Sequence, residues 1–319
     1  MILEVDGLTV QFPTRRGTLT AVDRVSFAIG AGEVLGVVGE SGAGKSVTGL
    51  AVIGLLEPPG RIASGEVRLE GRRIDRLRHE EMRRIRGRKI GVIFQDPLTS
   101  LNPLYTIGQQ LEETIVTHLP MAKARARERA LSLLREVGIP APESRYGNYP
   151  HQFSGGMRQR VVIALALAAE PRLLIADEPT TALDVSIQAQ IIALLKRLAV
   201  ERGAAVMLIT HDMGVIAETA HRVAVMYAGR IVELGPVREV IHAPRHPYSV
   251  GLMGSIPKIG AGRQRLLQIE GSMPRLNAIP PGCAFNPRCP KRFERCFAER
   301  PPLVRSGVSE AACWLHGAA

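Results

Sequence analysis

The sequence predicts an α/β fold, and three observations carry the prediction. Hydrophobic residues make up 45% of the 319-residue chain but aromatic residues only 4%. The core must therefore be built from Val, Ile, Leu and Ala, the residues of buried parallel strands and the helices that cover them. Aliphatic runs of strand length recur, among them Val34-Leu35-Gly36-Val37-Val38, Leu173-Leu174-Ile175-Ala176 and Ala205-Val206-Met207-Leu208-Ile209. The first of these leads through a glycine-rich turn into a helical pattern at residues 47–56, the strand, loop and helix order of an α/β unit. The length admits two domains, or one large domain with an appendage.

At the N-terminus, residues 2–5 and 9–12 read as two short strands joined at Asp6-Gly7, a turn dipeptide that predicts a hairpin. Phe12 has two readings: a ring upstream of the glycine-rich turn can stack on a nucleotide base, and core packing serves it equally well. Glu4 and Asp6 stand where a secretory signal would carry Lys or Arg, so export is not expected. The longest apolar runs, 47–56 and 161–169, fall short of the roughly twenty residues that cross a bilayer.

Gly39-Glu40-Ser41-Gly42-Ala43-Gly44-Lys45-Ser46 fits G-x-x-x-x-G-K-[ST] in full. Phosphates are multiply charged, and such a turn lets successive backbone N–H groups, from Gly39 through Ser41, Gly42, Ala43 and Gly44, converge on them without Cβ atoms in the way. The following helix points the positive end of its dipole at the same place. Lys45 can reach the terminal phosphates and the Ser46 hydroxyl can ligate magnesium. The stretch reads as a nucleotide cradle.

Beyond Glu57-Pro58-Pro59-Gly60, a breaker, residues 65–69 resume a short strand. Between 72 and 89, nine Arg or Lys residues face three acids within a chain of net charge +11. A solvated face and attraction to an anionic membrane leaflet both fit. Nucleic acid does not, because no aromatic residues interleave and no nucleic-acid motif is present. Residues 90–94 read as a buried strand ending at Gln95, whose amide can ligate magnesium or water or simply face solvent. From 107 to 138 the pattern is helical, with Ala126, Ala130, Leu133, Leu134 and Val137 on one face until Gly138 and Pro140 stop it. This predicts a helical insert in the α/β core.

In Phe153-Ser154-Gly155-Gly156-Met157-Arg158-Gln159-Arg160, Ser154 is a natural N-cap for the helix through 161–169. The amides near Gly155 and Gly156 form either a second anion site or an ordinary cap. The strand over 173–176 ends in Asp177 and Glu178. Beside the cradle, Asp177 can hold magnesium and Glu178 can orient and deprotonate an attacking water. Ala182-Leu183-Asp184 opens a helix over 185–200. His211 follows the strand at 205–209, at the kind of strand end where ligands bind in open parallel sheets. Residues 223–226 and 230–233 read as the last core strands.

Composition shifts near residue 243, and all four cysteines, Cys283, Cys289, Cys296 and Cys313, lie beyond it. Without an export signal such clustering argues for metal rather than disulfides. No tight C-x(2–4)-C pair of a structural zinc site is present, and Cys289-Pro290 suits an iron–sulfur cluster better. Four reduced thiols in a small core are the alternative, and His316 can replace one ligand.

Taken in order, these residues resemble the nucleotide-binding subunit of an ABC transporter. Residues 39–46 resemble its Walker A motif, Gln95 its Q-loop, residues 153–159 its signature motif and residues 173–177 its Walker B. Glu178 resembles the catalytic glutamate, residues 182–184 the D-loop with Asp184, and His211 the switch histidine. The stretches Gln95-Asp96-Pro97-Leu98-Thr99-Ser100-Leu101-Asn102-Pro103, Tyr149-Pro150-His151-Gln152, His246-Pro247-Tyr248 and Gly282-Cys283-Ala284-Phe285-Asn286-Pro287-Arg288-Cys289-Pro290 are similar to those of the ATPase subunits of bacterial oligopeptide and dipeptide importers.

The resemblance implies a P-loop NTPase (RecA-like) core with an antiparallel β subdomain, a helical signature subdomain at about 97–168 and a Cys-containing C-terminal extension. It places the cassette in 1–242 and the extension in 243–319. It implies ATP and Mg2+ as ligands, with Ser46, Gln95 and Asp177 around the metal. In some members the four cysteines hold a 4Fe-4S cluster. Implied partners are a second ATP-binding subunit, a paralogue rather than an identical chain, two transmembrane permeases and an extracytoplasmic solute-binding protein, with the chain peripheral on the cytoplasmic face of the membrane. Nickel and glutathione importers have similar ATPase subunits, and soluble ABC ATPases are the rival of another class.

Overall fold

In the computed structural model, which describes residues 1–180, 183–255 and 269–316, the first strand runs unbroken over Leu3–Thr14. The expected hairpin at Asp6-Gly7 is not there. Gly7 sits within the strand at φ 57, its N–H donating to Ser26 Oγ at 2.8 Å, and the chain turns at residues 15–16 into the strand Gly17–Ile29. A turn dipeptide is only a local preference, and the strand's place between two neighbours in its sheet outweighs it.

The chain folds into two compact units, each made of separate stretches. One contains Met1–Leu3, Ile29–Glu33 and Arg76–Leu208; the other contains Glu4–Ala28, Val34–Asp75 and the chain from Ile209 onward.

In the first unit, Ile90–Ile93 pairs in parallel with Leu173–Asp177, whose other neighbour is Ala205–Ile209. These strands are almost wholly buried, as near-continuous aliphatic runs require. The expected helical stretch at 107–138 is two helices, Ile107–His118 and Lys123–Glu136, because Pro120 has no N–H to continue the first. Thr106 and Gln109 cap the first helix reciprocally. The second buries Ala126, Ala130, Leu133 and Leu134, the predicted stripe, and ends at Gly138 with φ 75. Gly155–Leu167 and Val185–Arg202 are the other long helices described in this unit.

In the second unit, Gly17–Ile29, Leu3–Thr14, Arg61–Leu69 and Arg72–Arg73 form a four-stranded sheet in that order. Val34–Val38 pairs in parallel with Arg222–Tyr227, which pairs antiparallel with Arg230–Pro236. A hairpin that the sequence does not announce, Val304–Ser306 and Ser309–Ala311, extends this sheet through Glu233 opposite Ala311. The cysteine-bearing stretch is thus covered by backbone pairing as well as by side chains.

Candidate functional site

In the second unit the strand Val34–Val38 delivers the glycine-rich turn to the helix Lys45–Val52. Two of its glycines are obligatory. A Cβ on Gly39, at φ 152, would stand 2.3 Å from the Met226 carbonyl oxygen, and one on Gly44, at φ 98, would stand 2.8 Å from that of Ala21. The helix start has no side-chain cap hydrogen bond, and a helix N-terminus after a glycine-rich turn is the kind of place that binds an anion. Lys45 is buried, and its Nζ donates to the Gly39 carbonyl at 2.8 Å and to that of Glu40 at 3.1 Å. Ala43 N–H also donates to Glu40 O, while Ser41, Gly42 and Ser46 are exposed. The Thr210 N–H donates to Val37 O at 3.1 Å, which sets the exposed His211 beside the strand that carries the cradle. Asp212 caps the helix Met213–Thr219 just beyond. Phe12 is half-buried, with its ring against Gly60, where a Cβ would stand 2.6 Å from Cε1.

In the first unit Asp177 and Glu178 stand half-buried at the end of their strand. Gln95 Nε2 donates to Glu178 Oε2 at 3.2 Å, so two residues 83 apart in sequence meet at adjoining strand ends. Glu178 has φ 47, a left-handed conformation that costs a non-glycine residue about 1–2 kcal/mol. Ser154 caps its helix through Oγ, which accepts from Met157 N–H at 3.4 Å. Gly155 is exposed, while Gly156 has a packing duty the sequence does not show: a Cβ there would stand 2.7 Å from Ile187 Cγ2. Asp184 is exposed at the start of Val185–Arg202; Ala182 lies outside the described residues.

In the basic stretch Arg73, Arg78 and Arg83 meet neighbouring carboxylates. Arg73 bonds Asp75 and Glu66 in the second unit, where the Arg73 guanidinium and the Val67 N–H outweigh burial and lower the Asp75 pKa. Arg78 and Arg83 pair with Glu81 and Glu80 in the first.

The four cysteines line one small cavity, together with Phe285, Asn286 and Trp314, and none is in a disulfide. Among the described residues no three His, Cys, Asp or Glu side chains are set to hold a metal ion. The donor set fits a thiophilic metal in kind. Burial pushes Cys283 up to about 11 and raises Cys289 and Cys313 as well. His316 is engaged elsewhere, its Nε2 lying 2.8 Å from the Arg245 carbonyl oxygen.

A second cluster gathers around His246 in the second unit. His246 caps the helix Pro247–Gly254, its Nδ1 accepting from Tyr248 N–H at 3.0 Å. Its own N–H donates to the buried carboxylate of Glu233. Tyr227, Tyr248 and Phe285 pack ring against ring at centroid distances of 4.7, 5.2 and 5.5 Å. Tyr248 OH accepts the Glu40 N–H at 2.9 Å, and Arg288 Nη1 donates to both Glu40 carboxylate oxygens at 3.0 and 3.1 Å. Tyrosines and an arginine that close on a glycine-rich turn from about 190 to 250 residues away leave no periodic signal in the sequence.

Residues 22–181 match the family described as ABC transporter, and residues 232–296 match the oligopeptide/dipeptide transporter C-terminal region. The chain is 49% identical over 302 residues to the dipeptide transport ATP-binding protein DppD of Escherichia coli K12, covering 95% of this chain and 92% of that protein. The chain belongs to the ABC transporter ATP-binding family. Within that family it is also 49% identical to the oligopeptide transport ATP-binding protein OppD of Bacillus subtilis, over 98% of this chain and 88% of the relative. A solved ABC cassette, the dimeric post-hydrolysis state of MJ0796 bound to ADP and Pi, matches with a TM-score of 0.67 and 31% identity, over 74% of this chain and 99% of that one. The cassette cbiO1 of Clostridium perfringens matches with a TM-score of 0.65 at 30% identity, over 76% and 91%. As in any ABC cassette, the core is an α/β P-loop fold. No described helix is long and apolar enough to cross a membrane.

Proposed function

We propose that this chain is the ATP-hydrolysing subunit of an ABC importer that drives uptake of di- or oligopeptides, working from the cytoplasmic face of the cell membrane. The observation that carries the reading is the cradle itself: a strand, a turn whose glycines cannot be replaced, and Lys45 held by Gly39 and Glu40 at the head of an uncapped helix. That is a device for a nucleotide triphosphate. Peptide cargo is supported by the similarity to dipeptide and oligopeptide transport proteins, which extends through the C-terminal region.

The amides of residues 42–46 and the Lys45 ammonium hold the phosphates, with Gly39 and Ser41 shaping the turn. Ser46, Gln95 and Asp177 are the metal-side residues. Magnesium bound with ATP neutralises phosphate charge. Glu178 accepts the proton of the attacking water, oriented by Gln95, and His211 contacts the terminal phosphate. Phe12 is the adenine-side candidate. Ser154, Gly155 and Gly156 present their helix end to ATP held by a second ATP-binding subunit, a paralogue, and Asp184 lies at the same junction. Residues 1–242 form the cassette and 243–319 the extension.

The complete assembly adds two permeases and a solute-binding protein. The four cysteines bind a 4Fe-4S cluster, a reading supported by their chemistry and shared cavity. The test is reconstitution of the purified assembly in vesicles: labelled dipeptide should accumulate only with ATP, and iron and acid-labile sulfide should copurify in equal amounts. Uptake without ATP, or ATP hydrolysis indifferent to permeases and peptide, overturns the reading.

A further inference from the structure

Two motifs were left unexplained by the nucleotide chemistry, His246-Pro247-Tyr248 and the Cys283-to-Pro290 stretch. In the fold they converge on one residue, Glu40, the second position of the phosphate turn. Tyr248 OH takes the Glu40 N–H at 2.9 Å, so the backbone of that residue is held from the extension. Arg288 holds its side chain through both carboxylate oxygens. The arginine is well placed to transmit position. Its side chain is only 7% exposed, and it lies between Pro287 and Cys289 at the end of the turn Asn286–Arg288. Its remaining nitrogens donate to the carbonyls of Glu270, Ile269 and Gly271. Its guanidinium also stands over the Tyr227 and Phe285 rings, which press on Tyr248. A guanidinium fixed on five sides has few rotamers left, so it holds Glu40 at a set position rather than following it.

Glu40 matters because its carbonyl binds Lys45 Nζ at 3.1 Å and the Ala43 N–H at 3.1 Å. Any shift of this residue therefore moves the ammonium and an amide of the cradle together. We propose that Arg288 is a positioning residue for ATP, assisted by Tyr248, and that it makes the cysteine-bearing segment and the phosphate cradle one thermodynamic unit. The inference rests on the cradle binding ATP but not on peptide as cargo. Coupling of this kind is reciprocal: if the segment sets ATP affinity, ATP must tighten the segment.

The experiment measures Mg-ATP dissociation constants on the purified full chain by fluorescence of a labelled nucleotide. The variants are Arg288→Met, Glu40→Gln, the double variant and Arg288→Lys. Each of the first two should weaken binding about three- to tenfold, the double variant should be no weaker than the worse single, and Arg288→Lys should recover part of the loss. Hydrogen exchange at residues 283–289 should slow when Mg-ATP is added to the wild type and should not respond in Glu40→Gln, a readout that a simple loss of packing does not produce. Single variants that bind within twofold of wild type, losses that multiply in the double variant, or an exchange response that survives in Glu40→Gln would each overturn the proposal. If no form of the chain, wild type included, binds Mg-ATP, it is the cradle reading that fails.

Discussion

Gln95 donates its side-chain amide to the carboxylate of Glu178 at 3.2 Å. One residue lies two positions past the strand Ile90–Ile93, and the other stands in a left-handed conformation just past the strand Leu173–Asp177. Backbone strain of this kind persists only where the surroundings enforce it, and it is common at reacting centres. Replacing Glu178 with Gln keeps the shape and removes the carboxylate proposed as the base. ATP binding should stay within about threefold of wild type while turnover falls by about a hundredfold to ten-thousandfold. Steady-state phosphate release alongside nucleotide binding checks this, and normal turnover removes Glu178 from its role.

Lys45 is tied to the turn, its ammonium bonded to the carbonyl oxygens of Gly39 and Glu40. Substitution by Ala removes the Lys45 bonds to both carbonyls, leaving that of Glu40 with the Ala43 N–H, and removes the only ammonium within the phosphate turn. Lys45→Ala should abolish transport and weaken ATP binding by at least tenfold, about 1.4 kcal/mol. Undiminished uptake by this variant would refute the whole functional reading.

Gly156 faces Ile187 across two packed helices of the first unit, with 2.7 Å between its missing Cβ and Ile187 Cγ2. Gly156→Ala should therefore destabilise the fold by about 1–3 kcal/mol through overpacking. The double variant Gly156→Ala with Ile187→Ala should not be the sum of the two singles, because the second change removes the clash. Chemical denaturation of the four proteins measures it.

His246 is 1% exposed, and burial, aided by the nearby His316, pushes its pKa down to about 3. Its Nδ1 must be unprotonated to accept the Tyr248 N–H, and its backbone N–H is held by Glu233. The unfolded chain titrates this residue near 6.5. Below that pH the unfolded state binds a proton that the folded state refuses. The stabilisation is thus complete above about pH 6.5 and declines as pH falls toward 3, with a loss of about 2 kcal/mol by pH 5. Melting curves at pH 7 and 5 should show the decline, and His246→Asn, which keeps an acceptor at the cap, should flatten it. An identical pH response in the variant would exclude His246 as the source.

Reading the chain as a string worked where chemistry is local. The cradle is contiguous, so its glycines, lysine and serine stand in one octapeptide. The strands at 34–38, 173–177 and 205–209 are legible because burial on both faces leaves an unbroken aliphatic run. The reading failed at Asp6-Gly7, where strand pairing overrode a turn preference, and at 107–138, where a helical stripe on both sides of Pro120 concealed the break. The four cysteines cluster in the sequence, and it takes the fold to show that they line one cavity.

By itself, then, the sequence determined the cassette, its motifs and their order, because each of those features depends on residues a few positions apart. Only the tertiary structure decided that Tyr248 and Arg288 close on Glu40, and that Gly156 makes room for Ile187. Contacts between distant segments depend on how strands and turns stack. Each is a single contact with no repeat to mark it, and folding alone brings the partners together.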